Sequence, residues 1–230
     1  DVTFDVRPGI TGLLGPNAAG TEGVDLLMEA AGLKGKYSTT IVGTGNAMIS
    51  ALEAGSIQAI PIYPPTSSVL AEDGNSIVGD VADVQPEYVT GVTIINAQWA
   101  EEHRDAVVDY LVANIKIGQW LQDPANKQDV IDYLRGVLTI LGEELTDTQL
   151  ENVYDFYITD ERISFDGYAD QTTVEGNLGV AVHRGAIAAG DIPDDLNTMF
   201  DWSYLNDALE SLGLDGVDQY TTLVPAEING

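Results

Sequence analysis

Cysteine is absent from this chain, and that removes disulfides, thiolate nucleophiles and thiolate metal sites. Positive charge is scarce: lysine occurs only at 34, 36, 116 and 127, and the 9 basic residues face 37 acidic ones. With no basic stripe to displace counterions from phosphates, nucleic acid is excluded as a partner. Histidine is limited to His103 and His183, far apart in sequence, and neither sits in a zinc-binding helix pattern or near a nucleophile elbow. No apolar run approaches the roughly 18 residues of a membrane span. Nothing here points to an enzyme, a metal centre or a cofactor.

What is present is acid, and it is everywhere. The formal net charge is −28, aspartate outnumbers glutamate, and no single run explains the total. Pairs such as Glu143-Glu144 and Asp194-Asp195 read as solvated surface. A charge spread so evenly fits adaptation to high salt, where self-repulsion is screened and acidic side chains keep the surface hydrated. It points to a halophilic, archaeal source rather than to a cationic partner. Hydrophobic content of 44% over 230 residues supports a folded chain with one large domain or two small lobes.

The segment Gly15-Pro16-Asn17-Ala18-Ala19-Gly20-Thr21-Glu22 follows the apolar pair Leu13-Leu14 and leads into Val24, Leu26, Leu27, Met28, Ala30 and Ala31, ending at Gly32. A strand, a Gly-rich turn and a helix start form one unit, and such a turn aims free N–H groups and a helix dipole at whatever lies above it. Gly15 and Gly20 have the spacing of a phosphate-binding loop, but that loop needs Lys and Ser/Thr where Thr21-Glu22 stand, and a glutamate there repels a triphosphate. Two readings remain on these residues alone: a ligand cradle, or a plain βα turn.

Alternation of short apolar runs and helical stretches predicts strands at 10–14, 39–43, 57–60 and 89–96, and helices at 21–31, 46–54 and 66–72. The remainder reads as mostly helical. A helix carries Ala106, Val107, Tyr110 and Leu111 through to Trp120-Leu121. Asp123-Pro124 breaks it, and the next helix ends at Gly142. Thr146-Asp147-Thr148 is a candidate cap for the helix after that, which carries Leu150, Val153, Tyr154 and Tyr157. A long helix is predicted over 168–189, closed by Gly190, and a short one over 203–212, stopped by Gly213. The tail from Asp215 shows little pattern.

Four segments, in order, carry a resemblance. They are residues 15–32; residues 43–65, Gly-Thr-Gly-Asn-Ala-Met-Ile-Ser-Ala-Leu-Glu-Ala-Gly-Ser-Ile-Gln-Ala-Ile-Pro-Ile-Tyr-Pro-Pro; residues 93–124 with Trp99, Arg104-Asp105-Ala106-Val107, Trp120 and Asp123-Pro124; and the closing Gly190-Asp191-Ile192-Pro193, Asp201-Trp202-Ser203-Tyr204-Leu205 and Ala208 to Gly213. Together they resemble the substrate-binding proteins of ABC importers, in particular the family for aliphatic sulfonates, nitrate and thiamine-pyrimidine-like ligands. The solute receptors of TRAP transporters of the TAXI type share a similar first turn and are the alternative. A receptor-like surface component whose site has decayed is a further one.

The resemblance implies an α/β, periplasmic-binding-protein-like (type II) lobe with a parallel or mixed sheet, followed by a helix-rich C-terminal part. On that reading residues 1–95 form the ligand-binding lobe and 96–230 the helix-rich part returning to the other lobe. The family's opening strand and βα units have no counterpart here, so the first half of the N-terminal lobe is expected to be absent. The resemblance also implies an extracellular lipoprotein, anchored upstream, that delivers a small solute to an ABC permease. It implies that Ala18, Ala19, Gly20 and Thr21, then Thr44, Gly45 and Asn46, then Tyr63 and Thr66, face the ligand. Pyrimidine synthases of the same family use a Cys-rich motif that this chain lacks. Asn46 also reads as a plain helix cap, and Tyr63 as a core aromatic beside Pro64-Pro65. No Lys or Arg lies in these three loops, so the charge of the ligand stays open.

Overall fold

In this computed structural model the described residues are 10–13, 19–43, 45–85, 89, 91–141, 144–160, 163–164 and 166–221. They fall into two units, Asp1–Glu87 and Tyr88–Gly230, each with its own buried residues.

In the first unit the predicted order of elements is largely seen. Strand β1 (Ile10–Leu13) leads to helix α1 (Ala19–Ala30), strand β2 (Ser38–Ile41), helix α2 (Gly45–Glu53) and helix α3 (Thr66–Glu72). β1 and β2 pair in parallel, Ile10 opposite Ser38 and Leu13 opposite Ile41. Gly32, Gly43 and Gly55 hold φ of 67°, 103° and 69°, the left-handed backbone that ends α1, leaves β2 and ends α2. The interior is small: Thr21 and Val24 on α1, Met48 on α2, Ile57 in the segment after α2, and Leu70 on α3. α1 rests on a 3-10 turn, Val81–Asp83, capped by the Asp80 carboxylate, which accepts from Ala82 N at 2.9 Å. The approach is close. A Cβ on Gly23 would stand 2.6 Å from Val81 Cγ2.

This is not the α/β lobe of a type II periplasmic binding protein. Among the described residues the chain is mostly helical, and its only strand pairing is β1 with β2. All four side chains of β2 are exposed, whereas a parallel sheet at the heart of a lobe is covered on both faces. The predicted strand at 57–60 is reduced to a single bridge residue, Ala59. Within the predicted strand at 89–96, residues 91–96 form no strand, and Val92, Ile94 and Ile95 are exposed. β-branched side chains favour a pleated, half-buried surface, but pairing needs a neighbour that local sequence does not supply.

The second unit is built from helices α4 (Ala97–Glu102), α5 (Arg104–Gln122), α6 (Lys127–Ile140), α7 (Asp147–Tyr154), α8 (Gln171–His183) and α9 (Ser203–Ser211). Polar caps fix the starts of three of them. Asn96 accepts from Trp99 N at 3.0 Å. Asp170 accepts from Thr173 N at 2.9 Å. Thr146 and Gln149 form a reciprocal capping box on α7, with Thr146 as expected from sequence. Pro124 opens a 3-10 turn, Pro124–Asn126, before α6, and α7 runs on into a π-helical turn, Asp155–Thr159. The helix predicted over 168–189 is shorter at both ends. Asp170 caps its start, and Gly185, at φ 69°, turns the chain out after Arg184.

Two apolar clusters hold this unit. Val130 and Ile131 of α6 meet Leu150 and Tyr154 of α7. Ile115 of α5, Val174 of α8, and Leu205, Ala208 and Leu209 of α9 close on Ile192, Leu196, Trp202 and Tyr220. α5 and α9 are also tied at the surface, where Arg104 Nη2 lies 2.6 Å from Asp207 Oδ2 and its guanidinium sits 4.3 Å over the Tyr204 ring.

Tyr220 belongs to the tail that looked featureless in sequence. Its ring packs edge-on against Phe200 and Trp202, at 5.5 Å from each, and its hydroxyl donates to the Ala169 carbonyl. Burial, then the charges near Tyr168 and Asp170, push this hydroxyl far above the ordinary tyrosine value. The Trp202 indole N–H acts in the opposite direction, and its buried Nε1 has no hydrogen-bond partner among the described residues.

Gly23→Ala is expected to destabilise the protein by about 1–3 kcal/mol, because Val81 is β-branched and stiff. Gly136→Ala, in mid-α6 with nothing within 4 Å of the new Cβ, is expected to stabilise it by up to about 1 kcal/mol. Urea unfolding followed by circular dichroism reads both. Since folding raises the Tyr220 pKa, its contribution is complete below the unfolded value of 10.0 and fades as pH climbs from there. Tyr220→Phe should flatten the loss of stability above that pH in unfolding titrations.

Candidate functional site

The residues that the resemblance assigns to a ligand lie in the first unit. Ala18 and Thr44 lie outside the described residues. Ala19 opens α1, and Gly20 and Thr21 complete the start of its first turn. A Cβ on Gly20 would stand 3.0 Å from Pro61 Cγ and 3.1 Å from Pro61 Cβ. The start of α1 therefore lies directly against the segment that runs through Pro61 and Ile62 to Tyr63. This contact joins two of the expected loops. In sequence Pro61 lies within the segment 43–65, far from the turn at 15–20, and local spacing does not connect the two.

Thr21 faces inward and is 6% exposed, so its hydroxyl serves the interior of the unit and not an open cleft. Gly45 and Asn46 form the first turn of α2. Asn46 is exposed, and no atom of the described residues comes within 4 Å of a Cβ on Gly45. The start of α2 thus presents backbone and a carboxamide to solvent.

Tyr63 is 50% exposed, which removes it from the core beside the prolines. Its carbonyl accepts from Ser67 N at 3.2 Å, and Thr66, half-buried, begins α3 directly after the cis Pro64-Pro65 peptide. α3 has no side-chain cap, because Pro65 stands at its N-cap position.

Electrostatically the site is plain. Glu22 supplies a negative charge in the first turn of α1, and no cation lies in 18–21, 44–46 or 61–66. Any selectivity for charge would come from backbone N–H groups and helix dipoles at the starts of α1 and α2. Among the described residues no group of three or more His, Asp or Glu side chains is gathered in a way that could hold a metal ion. No helix of the described residues is long and apolar enough to cross a membrane.

His103 stands between α4 and α5, stacked on Trp99 at 4.5 Å, with its Nδ1 2.9 Å from the Trp99 carbonyl. It organises a helix junction. His183 ends α8.

Comparison of the chain with protein-family models, with curated proteins and with solved structures found no match. The resemblance to importer receptors therefore stands on the quoted motifs alone.

The Gly20–Pro61 contact can be tested directly. A proline ring cannot swing aside like a flexible side chain, so Gly20→Ala should shift residues 61–63. It should also destabilise the protein by about 1 kcal/mol despite alanine's better helix propensity. A rise in the urea midpoint would show that the two segments do not pack as described.

Proposed function

We propose that this protein is a solute-binding receptor that delivers a small molecule to an ABC importer at the cell surface. The observation that carries the reading is the close packing of Gly20 on Pro61, which sets the start of α1 against the segment leading to the exposed Tyr63. Two separate motifs of the resemblance thereby meet in one place. Asn46, at the open start of α2, and Tyr63 are the side chains with accessible surface to offer. A flat or apolar ligand would lie on the Tyr63 ring, and polar atoms would take N–H groups at the helix starts. The acidic surface belongs to the solvent the protein works in, not to the ligand.

The ligand classes that the resemblance suggests are aliphatic sulfonates, nitrate and pyrimidines. Calorimetry in concentrated KCl against each should give binding in the nanomolar to micromolar range, about −8 to −12 kcal/mol. Asn46→Ala and Tyr63→Ala should each weaken that binding at least about tenfold, a loss near 1.4 kcal/mol, with an unchanged thermal midpoint because both side chains are exposed. Absence of heat with all three classes would defeat the reading.

A further inference from the structure

Residues 216–221 cross the second unit as a strap, and the way they are held is unusual. Among the described residues no backbone-to-backbone hydrogen bond secures 215–221. Side-chain amides do it instead. Asn206 of α9 accepts from Val217 N at 2.7 Å and donates to Val217 O at 3.1 Å. Asn197 accepts from Tyr220 N at 2.9 Å and donates to Tyr220 O at 2.7 Å. Gln171, the first residue of α8, accepts from Thr221 N and from the Thr221 hydroxyl, both at 2.8 Å, and donates to Thr221 O at 3.4 Å. Each carboxamide matches the donor and acceptor of one peptide residue, as a neighbouring strand would.

Backbone contacts of this kind are blind to sequence. Selectivity comes from three points. Tyr220, 5% exposed, fills a box of Tyr168, Phe200 and Trp202 and bonds to the Ala169 carbonyl. Val217, three residues earlier, is half-buried. Gly216 leaves room for Asn206, since a Cβ there would stand 2.8 Å from Asn206 Oδ1. Between these anchors Asp218 and Gln219 are exposed. Apolar anchors at fixed spacing on a backbone read by side chains make a peptide-recognition site.

We propose that this groove is a binding site for an extended peptide of the pattern Gly-Val-x-x-Tyr-Thr, filled here by the chain's own residues 216–221 and open to the same sequence supplied from another molecule. The strap is a ligand carried in cis. Its hold depends on salt: Tyr168 donates its hydroxyl to the Asp218 carbonyl of the strap at 3.3 Å and its N–H to the Asp166 carboxylate of the groove at 2.9 Å, so acids of both sides meet at one residue and share a sign. High ionic strength screens that repulsion and tightens the clasp.

The test uses the full chain with a protease site inserted in the exposed stretch between Leu214 and Asp215. After cleavage in concentrated KCl, the strap should stay bound through gel filtration. A fluorescent peptide of residues 215–221 should then exchange into the groove. The same peptide with Tyr220→Ala should compete at least about tenfold more weakly, as loss of a buried aromatic anchor predicts. Asn197→Ala in the protein should weaken the labelled peptide, and dilution into low salt should release it with the helices intact by circular dichroism. Three results overturn the proposal: helix melting when the strap leaves, a strap that stays but never exchanges, or a free groove that does not take up the peptide.

Discussion

Extended backbone must place its N–H and C=O groups somewhere, and in this chain a sheet is largely unavailable to take them. The second unit meets that constraint with carboxamide side chains. Asn177 of α8 accepts from Val89 N at 3.2 Å and donates to Val89 O at 2.9 Å, as Asn206, Asn197 and Gln171 do for the tail. The larger apolar cluster depends on this arrangement, because Tyr220 reaches the Trp202 box only while its own peptide group is paired with Asn197. Losing such an amide leaves two backbone groups to find other partners, which is costlier than the loss of one hydrogen bond. A helical unit thus completes its core with a stretch of chain that is neither helix nor strand.

Helices were legible in the sequence, and long-range partners were not. The apolar spacing along α5 and α6, the break at Asp123-Pro124, the cap at Thr146 and the stops at Gly32 and Gly213 are local signals that mark observed boundaries, while Gly142 lies outside the described residues. The helix expected over 168–189 is shorter, because Asp170 caps it instead of joining it, and Gly185, not Gly190, turns the chain out of it. Strands failed where pairing was required. Thr39-Thr40-Ile41 found β1, while the equally β-branched Val92-Thr93-Ile94-Ile95 found nothing among the described residues. The tail was misread for a related reason: Val217 and Tyr220 have no period of two or of 3.6, and their partners lie 11 to 51 residues away.

The candidate site shows the same division. Its positions come from the resemblance, and the local part is helix placement: the helices expected from 21, 46 and 66 begin at Ala19, Gly45 and Thr66. Its three-dimensional part rests on the contact of Gly20 with Pro61, which local spacing does not connect. The inward turn of Thr21 follows from the same packing: a helix whose glycine face lies on a proline and whose next glycine lies on Val81 has its first turn committed to the interior. What remains for a solute is a modest surface, one carboxamide and one aromatic ring, with helix dipoles behind them.

The exposed run at 91–96 sets a limit on the solvent in which the protein stays dispersed. Ile94 is 89% exposed, Val92 and Ile95 beside it are exposed as well, and among the described residues 91–96 pair with no strand, so this is an apolar run along which chains could join. At low ionic strength a coat of charge −28 holds copies apart. Concentrated salt shrinks the reach of that coat to about 3 Å at 1 M and strengthens apolar contact where the anion is strongly hydrated. The salt that suits the acidic surface is therefore also the salt that lets this run find a mate, and solubility should pass through a maximum as salt rises, a curve that light scattering can trace.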